Sequence, residues 1–141
     1  MRKMLGYALL VPAFVGAAFA CSDAKTDAKA LDGKWNIVEA AGERVTAEEL
    51  PFLEFDMAEK RLHGNAGCNI VNTTVSLDPK DISAITIAQG AVTMMACPEM
   101  DLEMKVLRAM DQVRSVKNGR DADEMLLLDE AGKVVLRLDK E

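Results

Sequence analysis

The chain has 141 residues, 50% apolar and 28% charged, enough for one hydrophobic core and too few for several domains of ordinary size. Arg2 and Lys3 are the only charged residues among the first 20, so the remainder carries 15 Lys and Arg against 23 Asp and Glu, a net charge of −8. An acidic balance of that size repels phosphate backbones, which excludes a general nucleic-acid binder.

Met1 to Ala20 has the three parts of a signal peptide: basic Arg2 and Lys3, an apolar run from Leu5 to Phe14 interrupted by Pro12, and the small-residue stretch Ala17-Ala18-Phe19-Ala20. The run is shorter than the ~20 residues a membrane helix needs. Two cleavage readings are open. Ala18-Phe19-Ala20 is an A-x-A site for general secretion of a soluble protein, and Cys21 after Ala20 resembles a lipobox, where the thiol is acylated. The polar stretch behind it, Ser22 to Lys29, reads as a tether, and favours the lipidated form. Ser22 rather than Asp after the cysteine resembles the pattern of outer-membrane lipoproteins. The expectation is therefore a signal peptide over 1–20, a lipidated Cys21 with a flexible tether over 21–30, and one domain over 31–141 at the cell envelope.

Within that domain Lys34 to Glu39 alternates as a first strand, with Trp35 and Ile37 on one face. Thr46 to Glu49 predicts a turn or short helical piece. Phe52 to Asp56 and Arg61 to Gly64 form a hairpin, with Leu53 and Phe55 sharing a face. Val71 to Ser76 is rich in β-branched residues, Asp78 to Asp81 is a turn, and Ile82 to Ile87 and Gly90 to Met94 are further extended pieces. One helix is expected near 98–114: Pro98 at its first position, Glu99 and Asp101 at its positive end, Arg114 and Lys117 at the other. Leu102, Val106, Ala109, Met110 and Val113 form its apolar stripe. Met125 to Leu128, the turn Asp129 to Gly132 and Val134 to Leu138 make a closing hairpin. Many short strands with one late helix give an α+β fold with a largely antiparallel sheet.

Once Cys21 is acylated, Cys68 and Cys97 remain as an even pair in an oxidising compartment. They either bridge a loop of about thirty residues or stay as two buried thiols that never meet.

Three pieces, in order, resemble the META domain of HslJ-like, heat-shock-inducible lipoproteins. These are Leu31-Asp32-Gly33-Lys34-Trp35, Gly67-Cys68-Asn69, and Thr93-Met94-Met95-Ala96-Cys97-Pro98. Thr73 and Val75 stand where that family commonly has Gly and Tyr. The resemblance covers Leu31 to Leu138. It implies a partly barrel-like antiparallel sheet with a helix, in envelope proteins tied to stress or antibiotic tolerance, with no established enzymatic activity.

His63 is the only histidine, and no Gly-x-Ser-x-Gly element is present. A Cys68–His63 nucleophile pair competes with a solvated histidine at a sheet edge or loop. Glu48-Glu49 and Asp121-Ala122-Asp123-Glu124 read as solvated turns. Met94, Met95, Cys97, Met100 and Met104 are soft donors that could select Cu(I), against ordinary core packing with a disulfide. With Pro98 opening the helix, Cys97 would be its N-cap, and the pair with Cys68 could be a redox switch. The leading expectation is a non-enzymatic module without a cofactor. It is tied to the membrane by its N-terminal lipid and binds an unidentified envelope protein or ligand. Copper handling and inhibition of secreted peptidases are the alternatives.

Overall fold

The computed structural model describes residues 25–93, 96–98 and 100–141; the expected signal peptide, Cys21, the first tether residues, Met94 and Met95 lie outside them. A 3-10 turn at Ala28–Leu31 precedes β1 (Gly33–Ala40), β2 (Glu43–Arg44), β3 (Phe52–Asp56), β4 (Arg61–Asn65), β5 (Ile70–Asp78), β6 (Asp81–Ile87) and β7 (Ala91–Val92). The helix α1 (Met100–Gln112) and strands β8 (Ser115–Asn118), β9 (Glu124–Leu128) and β10 (Val134–Lys140) complete the chain.

Period-two patterning turns one side chain in two inward along each strand. Trp35 and Ile37 of β1, Leu53 of β3, Leu127 of β9 and Leu136 and Leu138 of β10 are all fully buried. The sheet closes on itself: β1 pairs with both β3 and β10, and the path β1-β3-β4-β5-β6-β8-β9-β10 returns to β1, antiparallel throughout. Eight strands enclose a space that side chains fill. Only the β6–β8 seam is thin, held by the Ala84–Ser115 pair and by the Ile85 amide donating to the Arg114 carbonyl at 3.0 Å.

β6 and β7 share one edge of β5. Val75 to Asp78 pair with β6, and Val71 and Asn72 pair with β7. Between them Gly90 passes so close to β5 that a Cβ there would collide with the Asn72 carbonyl and the Thr73 side chain.

The registers place the turns at 57–60, 79–80 and 119–123 at one end of the barrel, and those at 41–42, 66–69 and 129–132 at the other. Each end has its own closure. At the first, the 3-10 turn buries Ala28 and Leu31, and the Leu31 carbonyl accepts the Trp35 indole N–H at 2.7 Å. At the second, α1 turns Glu103, Val106, Ala109 and Met110 inward against β10, β1 and β6. We call these the plug end and the lid end.

Several boundaries differ from expectation. The tether is shorter than 21–30, because Thr26 and Ala28 are buried and Thr26 Oγ1 accepts the Asn118 amide at 2.9 Å; the packed domain therefore begins before residue 31. The helix starts at Met100, not Pro98, which lies in a turn, so Cys97 is three residues ahead of the helix and not its N-cap. It ends at Gln112, and Lys117, expected near the helix end, belongs to β8. Four residues are too few for alternation to show, and pairing with β9 decides that strand. The piece Gly90–Met94 shortens to Ala91–Val92, and Thr46–Glu49 makes only a bend.

Trp35 is both the largest buried side chain and the partner of the plug. Trp35→Ala should cost about 3–5 kcal/mol in chemical denaturation; a loss under ~1 kcal/mol would show that the plug end carries no weight.

Candidate functional site

The loop Ala66 to Asn69 folds back on itself. Asn65 Oδ1 accepts the Gly67 amide at 2.8 Å, and the Asn69 carbonyl accepts the Ala66 amide at 3.2 Å. Gly67 has φ 148°, favourable to glycine, and a Cβ there would come within 3.4 Å of the Glu103 backbone. That close approach brings the loop under the first turn of α1.

Asn69 is buried, and its amide N–H and its Nδ2 donate to the two carboxyl oxygens of buried Glu103 at 2.7 and 2.8 Å. Thr93 Oγ1 donates to Asn69 Oδ1 at 2.9 Å and accepts the Ile70 amide at 2.9 Å. Beside this node Cys68 and Cys97 form a disulfide with their Cα atoms 6.2 Å apart. In the chain-entropy model a loop of that length is stabilised by on the order of 3–4 kcal/mol. Gly67, Cys68, Asn69, Cys97 and Pro98 thus converge on one corner of the lid end, and their chemistry there is latching. Nothing in the residue type marks Glu103 as buried. The spacing 103–106–110–113 places it on the same apolar stripe, the signal that could have found it.

A second buried carboxyl group, Glu124, corrects the expectation of a solvated turn: it is only 3% exposed. Its Oε2 accepts from Arg120 Nε and Nη2 at 3.1 and 3.0 Å, and its Oε1 from Arg137 Nη1 at 2.8 Å. Arg137 Nε also donates to Glu39 at 3.2 Å, so one chain of charges ties β9 and β10 to β1. Burial pushes the Glu124 carboxyl upward, but the hydrogen bonds and charge of Arg120, then those of Arg137, outweigh it and hold the group below its ordinary value. No buried side-chain N or O among the described residues lacks a hydrogen-bond partner.

The other expected constellations separate. His63 lies mid-sheet on β4, exposed, with Nδ1 2.9 Å from Asn72 Oδ1, while Cys68 is committed to the disulfide, so no Cys/His nucleophile pair forms. Cys97 is committed likewise, which removes its thiolate from the soft-metal set. Met100 and Met104 are exposed on α1.

What remains open is the outer face of β3, β4 and β5. Cross-strand register aligns Glu54, His63 and Asn72 in one row and Asp56, Arg61 and Thr74 in the next. These side chains, with Thr73, line a hollow of about 550 Å³. Phe52 sits beside it, its ring centroid 6.2 Å from that of His63 and 4.4 Å beneath the Lys34 ammonium. The arrangement offers carboxylates, a guanidinium, an amide, hydroxyls and an imidazole on a rigid floor. It suits recognition of a polar ligand by hydrogen bonds. Sequence alternation separates Glu54 from Leu53 and Phe55 but carries no sign that Arg61, His63 and Asn72 join it.

Two outcomes are expected of the buried carboxyl groups. Asn69→Ala removes the Nδ2 donor to Glu103 and the acceptor of the Thr93 hydroxyl while leaving the backbone amide bond, and should cost about 1–3 kcal/mol in denaturant titration. Glu124 has a depressed folded-state pKa, so its stabilisation is present above the unfolded value, about 4.3 for Glu, and fades as pH falls through the lower folded value. Glu124→Gln should lower stability at neutral pH and flatten the acid limb of a stability–pH curve; an unchanged acid limb would contradict the network.

Comparison with known proteins agrees with this architecture. The META domain family model matches residues 28–141. A protein from Burkholderia xenovorans with an NMR structure superposes with TM-score 0.60 at 20% identity, covering 83% of this chain and 89% of that one. A DUF4847 family protein from Bacteroides vulgatus, with a crystal structure, gives TM-score 0.58 at 15% identity over 79% of this chain and 94% of its own. At such identities the likeness is one of fold. No curated protein matches the chain.

Proposed function

The chain belongs to the META domain family, and from that premise we propose that it is a non-enzymatic binding module of the cell envelope. On this reading acylated Cys21 holds it to the membrane, and the outer face of β3–β5 binds an envelope ligand or protein in the stress- or antibiotic-tolerance setting that the family resemblance implies. The observation that carries the reading is a division of labour. The buried polar side chains Asn69, Glu103 and Glu124 are spent on latching the fold, whereas Glu54, Arg61 and Thr74 stand on an open, rigid face. A catalytic acid or base works best at a shifted pKa in a desolvated pocket. The hollow instead is wide and open, which favours binding over turnover.

Two measurements test the two halves. The intact mass of the native, unreduced protein should carry a diacyl- or triacylglyceryl addition at Cys21; a plain chain starting at Cys21 would mean general secretion of a soluble form. A photo-crosslinking amino acid in place of His63 should yield a discrete adduct in cells. The same residue in place of Glu130, at the far turn, should not. The adduct should disappear when Glu54→Gln and Arg61→Ala are added. Identical adducts at both positions, or none at His63, would overturn the assigned face.

A further inference from the structure

We infer that the plug end of the barrel is a membrane-facing surface, seated against the headgroups of the bilayer that holds the lipid, with the lid end turned away. The inference rests on the acylated Cys21 of the proposed function and adds an orientation to it.

The described chain is already fixed at Thr26, buried and bound to the Asn118 amide, and Lys25 just before it makes an exposed ion pair with Asp81 at 3.4 Å. Asp27 caps the 3-10 turn through the Lys29 amide at 2.9 Å, and Asp32 Oδ1 accepts the Met57 amide at 2.9 Å. All of these contacts lie at the plug end, and those of Lys25 and Thr26 lie beside the β6–β8 seam. From Cys21 to Lys25 the chain spans four residues, at most roughly 14 Å even when fully extended. β10 has 7 residues. At about 3.4 Å per residue and a barrel tilt near 40° it rises roughly 18 Å, with a helix about 10 Å thick above it. To reach the bilayer with its lid, the domain would need a tether about twice as long. It can stand on its plug end or lean toward the seam; it cannot turn over.

Two consequences follow. The turns at 57–60, 79–80 and 119–123, with Lys60, Lys80 and Asp121, meet the headgroup layer. The seam lies across the barrel from the β1–β3 pair, so Lys34, Phe52 and Glu54 stay on the side away from the membrane even when the domain leans. The acidic surplus of the domain opposes adsorption to an anionic surface, so the tether and not charge sets this posture.

The test uses the mature chain from Cys21, oxidised at Cys68–Cys97 and coupled through Cys21 to phosphatidylcholine vesicles that contain a maleimide lipid. A fluorescent amino acid replaces Lys80 or, separately, Glu130, and quenching by headgroup-nitroxide lipid is read. Quenching should be several-fold stronger at position 80. A Gly/Ser insert of about 16 residues after Asp23 adds roughly 22 Å of root-mean-square reach and should erase most of the difference. Equal quenching at the two positions with the native tether, or stronger quenching at 130, would overturn the orientation. Because the vesicle supplies the lipid, that result is independent of acylation in the cell; a native chain without acyl mass would end the anchor reading alone.

Discussion

A closed sheet has no edges to protect along its sides, but it leaves two apolar mouths, and everything else in this structure depends on how they are shut. At the plug end a single 3-10 turn suffices, because Leu31 drops into the barrel and its carbonyl takes the indole proton of Trp35. At the lid end an amphipathic helix is needed, and a helix lying across a barrel has no ladder of strand hydrogen bonds to hold it. The loop Gly67-Cys68-Asn69 supplies the missing attachment twice: covalently through Cys97, and by the two hydrogen bonds to Glu103. Lys105 adds a surface ion pair to Glu43 on β2.

This explains why the residues that identify the family are not arranged like a reaction centre. Motifs rich in Gly, Cys and Asn are easily read as catalytic, yet here each residue has a mechanical task. Gly67 permits close approach, Asn69 satisfies a buried carboxyl group, and the cysteines close the loop. The Glu124–Arg137–Glu39 chain does comparable work on the opposite wall, where burial makes an unpaired carboxylate costly and the two arginines offset that cost. With the interior committed in this way, the polar side chains left at fixed spacing are those on the outside of the sheet, held by a hydrogen-bonded floor.

Much of the architecture was legible along the chain wherever a periodic pattern ran for five residues or more. The alternation around Trp35 and Ile37, the Phe52–Asp56 and Arg61–Gly64 hairpin, the helix stripe and the closing leucine-rich hairpin all depend on local period and turn chemistry. Shorter pieces were not legible: β8 exists because β9 offers it an edge, and β7 because Gly90 lets the chain press against β5. The roles of Glu103 and Glu124 were hidden for a different reason. A carboxylate in a sequence reads as solvated unless its burial is known; Glu103 is partnered 34 residues away by Asn69, and Glu124, though Arg120 is only four residues away, is joined to the barrel wall by Arg137, 13 residues on.

By itself, then, the amino-acid order determined the class of fold, the shared faces of Trp35 with Ile37 and of Leu53 with Phe55, the resemblance to the META domain and the even pair of cysteines. These follow from period, turn residues and composition, which are local properties of the chain. Only the tertiary structure decided that the sheet closes, that the cysteines meet, which carboxyl groups are buried, and that Glu54, Arg61, His63 and Asn72 share one open face. Those are facts of register and closure between strands distant in sequence. A single-residue slip in pairing would change them all while leaving every local pattern intact.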